Sequence, residues 1–184
     1  ISLDGPYLVA GISQTRAIRE ALKDFRESGK FVYAYGDFFV QRDYYLSSVA
    51  DSIFINPVGE MDFKGLAAEV LYFADFQEQT GLKMEVVRHG KYKSTVEPFL
   101  SNSMSEENRE QITQLLQSIW EGMRGDMAES RGLPESELDK IANGLLARSP
   151  ELALENGLVD GIAYLEEYEA KLQRESAGSG HPPE

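Results

Sequence analysis

The sequence predicts an α/β domain: a mainly parallel, twisted sheet with helices on its faces. Three observations carry that expectation. Residues 31–35, Phe-Val-Tyr-Ala-Tyr, form a short apolar run rich in β-formers that suits a strand buried on both sides. From residue 31 to residue 88 strand-like and helix-like stretches alternate, the pattern of a sheet whose strands run the same way and are joined by helical crossovers. With 184 residues, 42% hydrophobic content, nine Phe and nine Tyr, the chain is long and apolar enough for one domain with a real core.

The elements follow in order. Ile1-Ser2-Leu3 reads as the end of a strand that starts upstream, with Asp4-Gly5-Pro6 as the turn out of it, which is expected of a piece of a longer protein. Ser13 is placed to cap a helix over residues 14–28, with Ala17, Ile18, Ala21, Leu22 and Phe25 on the inward face and Gly29 as the stop. After the 31–35 strand and Gly36-Asp37, a helix is expected near 42–49 and a strand over 52–55. Residues 63–80 carry Leu66, Val70, Leu71, Phe73, Ala74 and Phe76 over a wide apolar arc and predict a core-packed helix closed by Gly81. Residues 84–88 read as another strand. Ser105 then caps a long helix with Ile112, Leu115, Leu116, Ile119, Met123 and Met127 in one stripe, beside which Trp120 is an edge residue or an interface anchor. Ser149-Pro150 opens a further helix ended by Gly157, and a last helix is predicted over 164–173. Residues 1–174 are taken as the domain. Residues 175–184, with two Gly, two Ser and two Pro, read as a flexible tail.

Composition excludes several functions. A net charge of −13 argues against nucleic acid as a partner, because such binding draws its affinity from Lys and Arg on phosphates. The absence of cysteine removes disulfides and thiolate chemistry. No apolar run approaches the length of a membrane span. The histidines are His89 and His181, the latter in the tail, and no G-x-S-x-G elbow accompanies them; no S-x-x-K occurs either. No spacing of His, Asp and Glu suggests a metal, and no glycine pattern cradles a phosphate.

The chemistry concentrates in residues 85–99, E-V-V-R-H-G-K-Y-K-S-T-V-E-P-F, where Lys91 and Lys93 sit among aromatic and apolar residues. Such lysines ordinarily lay their stems on apolar surface and keep the ammonium in water. Held in an apolar pocket, a lysine loses solvation, its pKa falls, and the neutral amine can take a proton from a serine hydroxyl. A fall from about 10.4 to about 7 requires roughly 4.6 kcal/mol, within reach of partial burial. Alternation places Lys91 and Lys93 on one side, so spacing leaves both open as the base.

The run from Gly90 to Phe99 resembles the lysine segment of the signal peptide peptidase A (protease IV) family in its long, two-domain form. The similarity spans about residues 3–172 and includes Gly29-Lys30 before Val32-Tyr33-Ala34, Gly36-Asp37, Tyr44-Tyr45-Leu46, Asn56-Pro57 and the Leu-Glu-Asn-Gly-Leu-Val-Asp run at 154–160. The resemblance implies a crotonase-like, ClpP-like fold, an N-terminal, lysine-bearing domain, and Lys93 as the general base of a Ser-Lys dyad. In the family's C-terminal domain the segment Gly-Asp-x-x-Ala-Ser-Gly-Gly-Tyr places the serine at a helix N-terminus. Here Gly36 to Tyr44 puts Gln41 in the serine's place and Arg42-Asp43 in place of the glycines, so this domain is expected to have kept the base and lost the nucleophile. The resemblance further implies cleaved signal peptides as substrate, a C-terminal catalytic domain of the same protein as partner, a membrane-anchored homo-oligomer (a tetramer) with its protease domain on the extracytoplasmic side, and no cofactor. Phe38, Phe39 and Tyr44 are candidates for the assembly surface or for the core. A scaffold domain of the same fold, with Lys93 merely structural, is the competing reading.

Overall fold

The structure, a computed structural model, describes residues 1–4, 9–82, 84–85 and 96–178. They divide into two compact units, residues 1–65 with 122–184, and residues 66–121. Among the described residues no helix is long and apolar enough to cross a membrane.

The first unit is built on a four-stranded sheet in the order β1 (Ser2–Leu3), β2 (Tyr33–Val40), β3 (Ser52–Asp62), β4 (Gly161–Ile162), with every neighbouring pair parallel. The α/β expectation with a parallel sheet therefore holds. Parallel strands need crossovers, and α1 (Ile12–Glu27) and α2 (Gln41–Ser47) supply the first two. Pairing Ala34 with Ile53 and Tyr35 with Phe54 puts Tyr33, Tyr35 and Phe54 on one face and Ala34, Ile53 and Ile55 on the other. Both faces are buried, which is why these strands read as continuous apolar runs rather than alternating ones. Helix α8 (Leu165–Gly178) covers the first face. The Tyr168 ring lies 5.0 Å from that of Tyr35 and 5.8 Å from that of Phe54, and its hydroxyl shares a 2.6 Å hydrogen bond with Ser2 Oγ, which ties α8 to β1. Burial of one such side chain contributes on the order of 2 kcal/mol. Helix α8 runs five residues beyond the predicted end at 173.

Two aspartates fix where strands begin. Asp51 accepts the Val32 N–H at 2.8 Å while pairing with Arg26, and Asp160 accepts the Ile53 N–H at 2.8 Å while pairing with Arg131. Both strands extend further than predicted, β2 to Val40 and β3 to Asp62, with a break in register between Gly36 and Phe38.

Helix α1 corrects the predicted inward face. Its buried residues are Thr15, Arg19 and Leu22, whereas Ala17, Ile18 and Ala21 face solvent. The cap also differs: the Gly11 N–H donates to Gln14 Oε1 at 3.0 Å, and the helix starts at Ile12 rather than after Ser13. Arg19 turns inward because the surroundings satisfy its guanidinium. It donates to Tyr45 O, to Ser48 Oγ at 2.7 Å, to Asp126 O at 2.8 Å and to Ser130 Oγ, with its Cζ 4.8 Å from the centre of the Tyr45 ring. A polar residue so matched displaces the apolar arc as the packing face.

The last helices of this unit follow the sequence closely. In α7 (Pro150–Glu155) the Ser149 hydroxyl accepts the Leu152 N–H, proline sits in the first turn, and Gly157 follows with φ 72°. Ahead of it, α6 (Glu135–Gly144) buries Leu138, Ile141 and Ala142.

In the second unit the helix predicted over 63–80 is reduced to α3 (Ala74–Thr80). Leu71, Phe73 and Phe76 are exposed rather than core-packed. Most of a helix's stability comes from packing its apolar face, and none of the large apolar side chains described in this unit is fully buried. Phe63, which the prediction placed in that helix, is instead a core residue of the first unit, 2% exposed. Phe73 stacks on Phe99 of α4 (Glu97–Leu100) at 5.6 Å. Helix α5 (Glu106–Arg131) starts where predicted, with Ser105 Oγ accepting the Asn108 N–H at 3.3 Å. Along the predicted stripe Met123 and Met127 are buried and Leu115 is exposed. The strand predicted over 84–88 falls mostly outside the described residues.

Candidate functional site

The site is built where β2 passes directly into α2. Val40 is still extended, and Gln41 is the first helical residue. The position that the resemblance sets against a serine thus stands at a strand-to-helix elbow and holds a carboxamide. Gln41 Oε1 accepts hydrogen bonds from two consecutive main-chain N–H groups, Lys64 at 3.1 Å and Gly65 at 3.2 Å. Gly65 has φ 80°, a left-handed conformation open to glycine, and this turn aims both N–H groups at one oxygen. Gln41 Nε2 is buried and finds no hydrogen-bond partner among the described residues. An orphaned buried donor costs about 1–3 kcal/mol, so the glutamine is held by its oxygen at the expense of its nitrogen. An amide nitrogen is no nucleophile, and neither neighbour supplies a hydroxyl: Arg42 donates to Ala10 O at 2.7 Å, and Asp43 follows it.

Below the elbow the packing is aromatic. Tyr44 is fully buried, edge-on to Phe63 at 5.4 Å and to Phe39 at 6.5 Å, and burial raises its hydroxyl pKa. Phe39 and Tyr44 are therefore core residues, which removes two of the three candidates for an exposed assembly surface; Phe38 is half-buried.

Beside the elbow the register break in β3 carries a polar knot. Asn56 Nδ2 donates to Asp37 Oδ1 at 2.7 Å and to the Tyr35 hydroxyl at 3.0 Å, and that hydroxyl donates to Asp37 Oδ1 at 3.1 Å. Burial, with the Asp37 carboxylate close by, pushes the Tyr35 pKa up to about 12, so it stays protonated as the donor. Gly59 passes so close that a Cβ there would lie 2.4 Å from Asp37 O. The Gly36-Asp37 and Asn56-Pro57 pairs, conspicuous in the sequence comparison, thus brace the two strands against each other.

Past the knot lies an open depression of about 230 Å³ lined by Glu60 to Lys64, Leu145 and Arg148. Leu145, at the end of α6, is held at φ 52°, a conformation that costs a non-glycine residue on the order of 1–3 kcal/mol. Lys64 pairs with Asp62 at 2.9 Å. Among the described residues no ion pair to Arg148 is found.

Lys93, the predicted base, lies outside the described residues, as do Lys91, Ser94 and His89. The described chain that follows them is firmly held within the second unit. Pro98 O accepts the Phe73 N–H at 2.7 Å, Phe99 O accepts Gln77 Nε2 at 2.8 Å, and Glu97 accepts the Ser105 N–H and, at 2.7 Å, Asn108 Nδ2. Sequence reasoning missed two features, the double acceptor role of Gln41 and the inward turn of Arg19. Each depends on partners 23 to 111 residues away, which no local pattern reports.

The family signature described as Peptidase family S49 matches residues 24–178. The chain is 33% identical to Protease 4 of Haemophilus influenzae over 159 residues, which is 83% of this chain and 26% of that protein. It is 32% identical to Protease 4 of Salmonella typhi over 167 residues, 87% of this chain and 27% of that protein. To the chloroplastic serine protease SPPA of Arabidopsis thaliana it is 28% identical over 160 residues, 87% of this chain and 24% of that protein. The chain spans about a quarter of the length of the curated relatives it matches. The chain therefore belongs to Peptidase family S49, the signal peptide peptidases, and its parallel sheet with packed helices is the family's ClpP- and crotonase-like fold.

Proposed function

We propose that this chain is the lysine-bearing part of a Ser-Lys dyad protease that degrades cleaved signal peptides, with Lys93 as general base and the nucleophilic serine in a further domain of the same protein. The observation that carries this reading is Gln41: at the elbow where a nucleophile would stand, the side chain is a carboxamide locked onto Lys64 and Gly65. A domain of a peptidase family with no hydroxyl at that place serves catalysis by supplying something else, and residues 90–99 offer a lysine among aromatic and apolar neighbours. In this scheme the Lys93 amine, its pKa lowered by desolvation, takes the serine proton as the hydroxyl attacks the scissile carbonyl, then returns it to the leaving amine. Residues 1–174 form the domain, the whole protein is a membrane-anchored, extracytoplasmic homo-oligomer, and no cofactor takes part. The test is turnover of a signal-peptide substrate by the longer protein. Lys93→Ala removes activity while size-exclusion chromatography shows assembly unchanged; full activity in that variant ends the reading.

A second reading, a scaffold or oligomerisation domain, draws on one observation. The second unit leaves Leu71, Phe76 and Leu82 more than half exposed, as a docking surface would. On that reading Lys93→Ala is silent, and Leu71→Asp with Phe76→Asp breaks the assembly.

A further inference from the structure

A carboxamide carries a donor and an acceptor at fixed positions on one plane, so it can hold a main-chain N–H and a main-chain carbonyl at once. Gln77, on α3 of the second unit, uses both. Its Oε1 accepts the Met84 N–H at 2.7 Å and its Nε2 donates to Phe99 O at 2.8 Å, so one side chain grips main chain 7 and 22 residues downstream. Residues 85–98, which include Lys91 and Lys93, stand in sequence between those two grips. The downstream grip belongs to a wider frame. The Phe73 N–H donates to Pro98 O at 2.7 Å, the Phe73 and Phe99 rings stack at 5.6 Å, and Asn102 pairs reciprocally with Asp75, its Oδ1 accepting the Asp75 N–H at 3.2 Å and its Nδ2 donating to Asp75 Oδ1. No residue of α3 is buried, so packing does little to place the helix and these polar contacts set its position. Helix α3 is thus fixed to residues 98–102, and Gln77 extends that hold to Met84.

We propose that Gln77 is a positioning residue for the general base: by gripping the main chain on both sides of the lysine-bearing segment it sets where the lysine amine stands, and its loss misplaces that amine without dismantling the domain. The lysine's role as base is taken from the dyad reading, whereas the grip itself does not depend on it. The two bonds require a carboxamide. Glutamate at position 77 keeps an acceptor for the Met84 N–H but, once ionised, has no donor and sets a negative oxygen against Phe99 O. Methionine, of similar length, supplies no donor and only a weak acceptor. A reacting group displaced by about 1 Å can lose on the order of 10²-fold in rate, so a partial loosening is felt in turnover before it is felt in folding. A base amine swung toward water regains solvation and its pKa rises, which carries the limb on which rate climbs with loss of that proton to higher pH.

The test uses the full-length protein and a signal-peptide substrate, with kcat and KM measured across pH for the original, Gln77→Glu, Gln77→Met, Lys93→Ala and the control Glu78→Gln. Both Gln77 variants are expected to lose about tenfold in kcat at neutral pH with KM nearly unchanged, and to move the rising limb up by about one pH unit. Glu78→Gln, an exposed change on the same helix, matches the original. A merely structural role would reduce the amount of active enzyme, scaling the rate equally at every pH and leaving the limb in place. Hydrogen exchange over residues 82–100, read by mass spectrometry, quickens in Gln77→Met. The proposal is overturned if both variants keep the original kcat, if their loss is uniform across pH, or if the exchange is unchanged. Should Gln77→Met not fold, Gln77→Glu, isosteric with the original, decides by the same limb. Full activity in Lys93→Ala ends the dyad reading and with it the base that Gln77 would position, whereas an inactive Lys93→Ala beside unaffected Gln77 variants overturns the positioning role alone.

Discussion

Arg19→Ala probes how the first unit is held together. Arg19 is 4% exposed, and its guanidinium makes four hydrogen bonds, to Tyr45 O, Ser48 Oγ, Asp126 O and Ser130 Oγ, joining α1 to α2 and to the last turns of α5. Burial lowers its pKa, opposed by Tyr45 and Asp126, but arginine titrates so high that it stays charged. Four bonds from a charged donor contribute roughly 6 kcal/mol at the low end of 1.5–3 each. Two effects reduce the loss on deletion. Tyr45 O keeps a second partner in the Ser48 hydroxyl at 2.9 Å, and removing the guanidinium also removes the cost of holding a charge out of water. The net destabilisation is therefore about 3 kcal/mol, a large share of the usual 5–15. With a urea slope near 2 kcal/mol/M, the unfolding midpoint falls by about 1.5 M. Arg19→Lys recovers little, since one ammonium cannot span four acceptors. Arg16→Ala, whose side chain is 62% exposed, changes stability by less than about 0.5 kcal/mol and serves as the control. Should Arg19→Ala cost under about 1 kcal/mol, the network is incidental and the packing account of α1 is wrong.

Two further outcomes are expected. Gly59→Ala places a Cβ against main-chain oxygens of Asp37 and Asn56 that cannot move cheaply, and destabilises by about 2–3 kcal/mol in thermal or urea unfolding; Gly122→Ala, with nothing within 4 Å, is neutral or stabilising by up to about 1 kcal/mol. Equal effects at the two glycines would discredit the strand-bracing role of the knot. A serine-directed fluorophosphonate probe leaves the 184-residue chain unlabelled, because Gln41 offers no hydroxyl at the elbow, and stoichiometric labelling read by intact mass would overturn this.

What the sequence made legible follows the range of the interactions involved. The 31–35 run, the Ser149-Pro150 start and the Ser105 cap are local codes, in which a few neighbouring residues decide the backbone, and each reappears in the structure. The α1 face and the 63–80 helix were misread for a common reason: an apolar arc states which side could pack, while the partner surface decides whether it does. For α1 a buried arginine took that place, and among the described residues Leu71, Phe73 and Phe76 are left exposed. At the elbow the helix expected near 42–49 begins one residue earlier, at Gln41, whose hold on Lys64 and Gly65 joins residues that only the fold brings together. The choice of Lys93 over Lys91 came from resemblance alone, and both lie outside the described residues.

Lys93→Arg in the full-length protein, measured as kcat/KM on a signal-peptide substrate, tests the central claim most directly. Arginine keeps charge and approximate length yet cannot release its proton near neutral pH, so a general base is abolished while a structural cation is largely preserved. The dyad account predicts a loss of about 10²–10⁴-fold with folding and assembly intact, and a far milder effect for Lys91→Ala in the same assay. Most of the activity surviving in Lys93→Arg, or greater damage from Lys91→Ala, would contradict it.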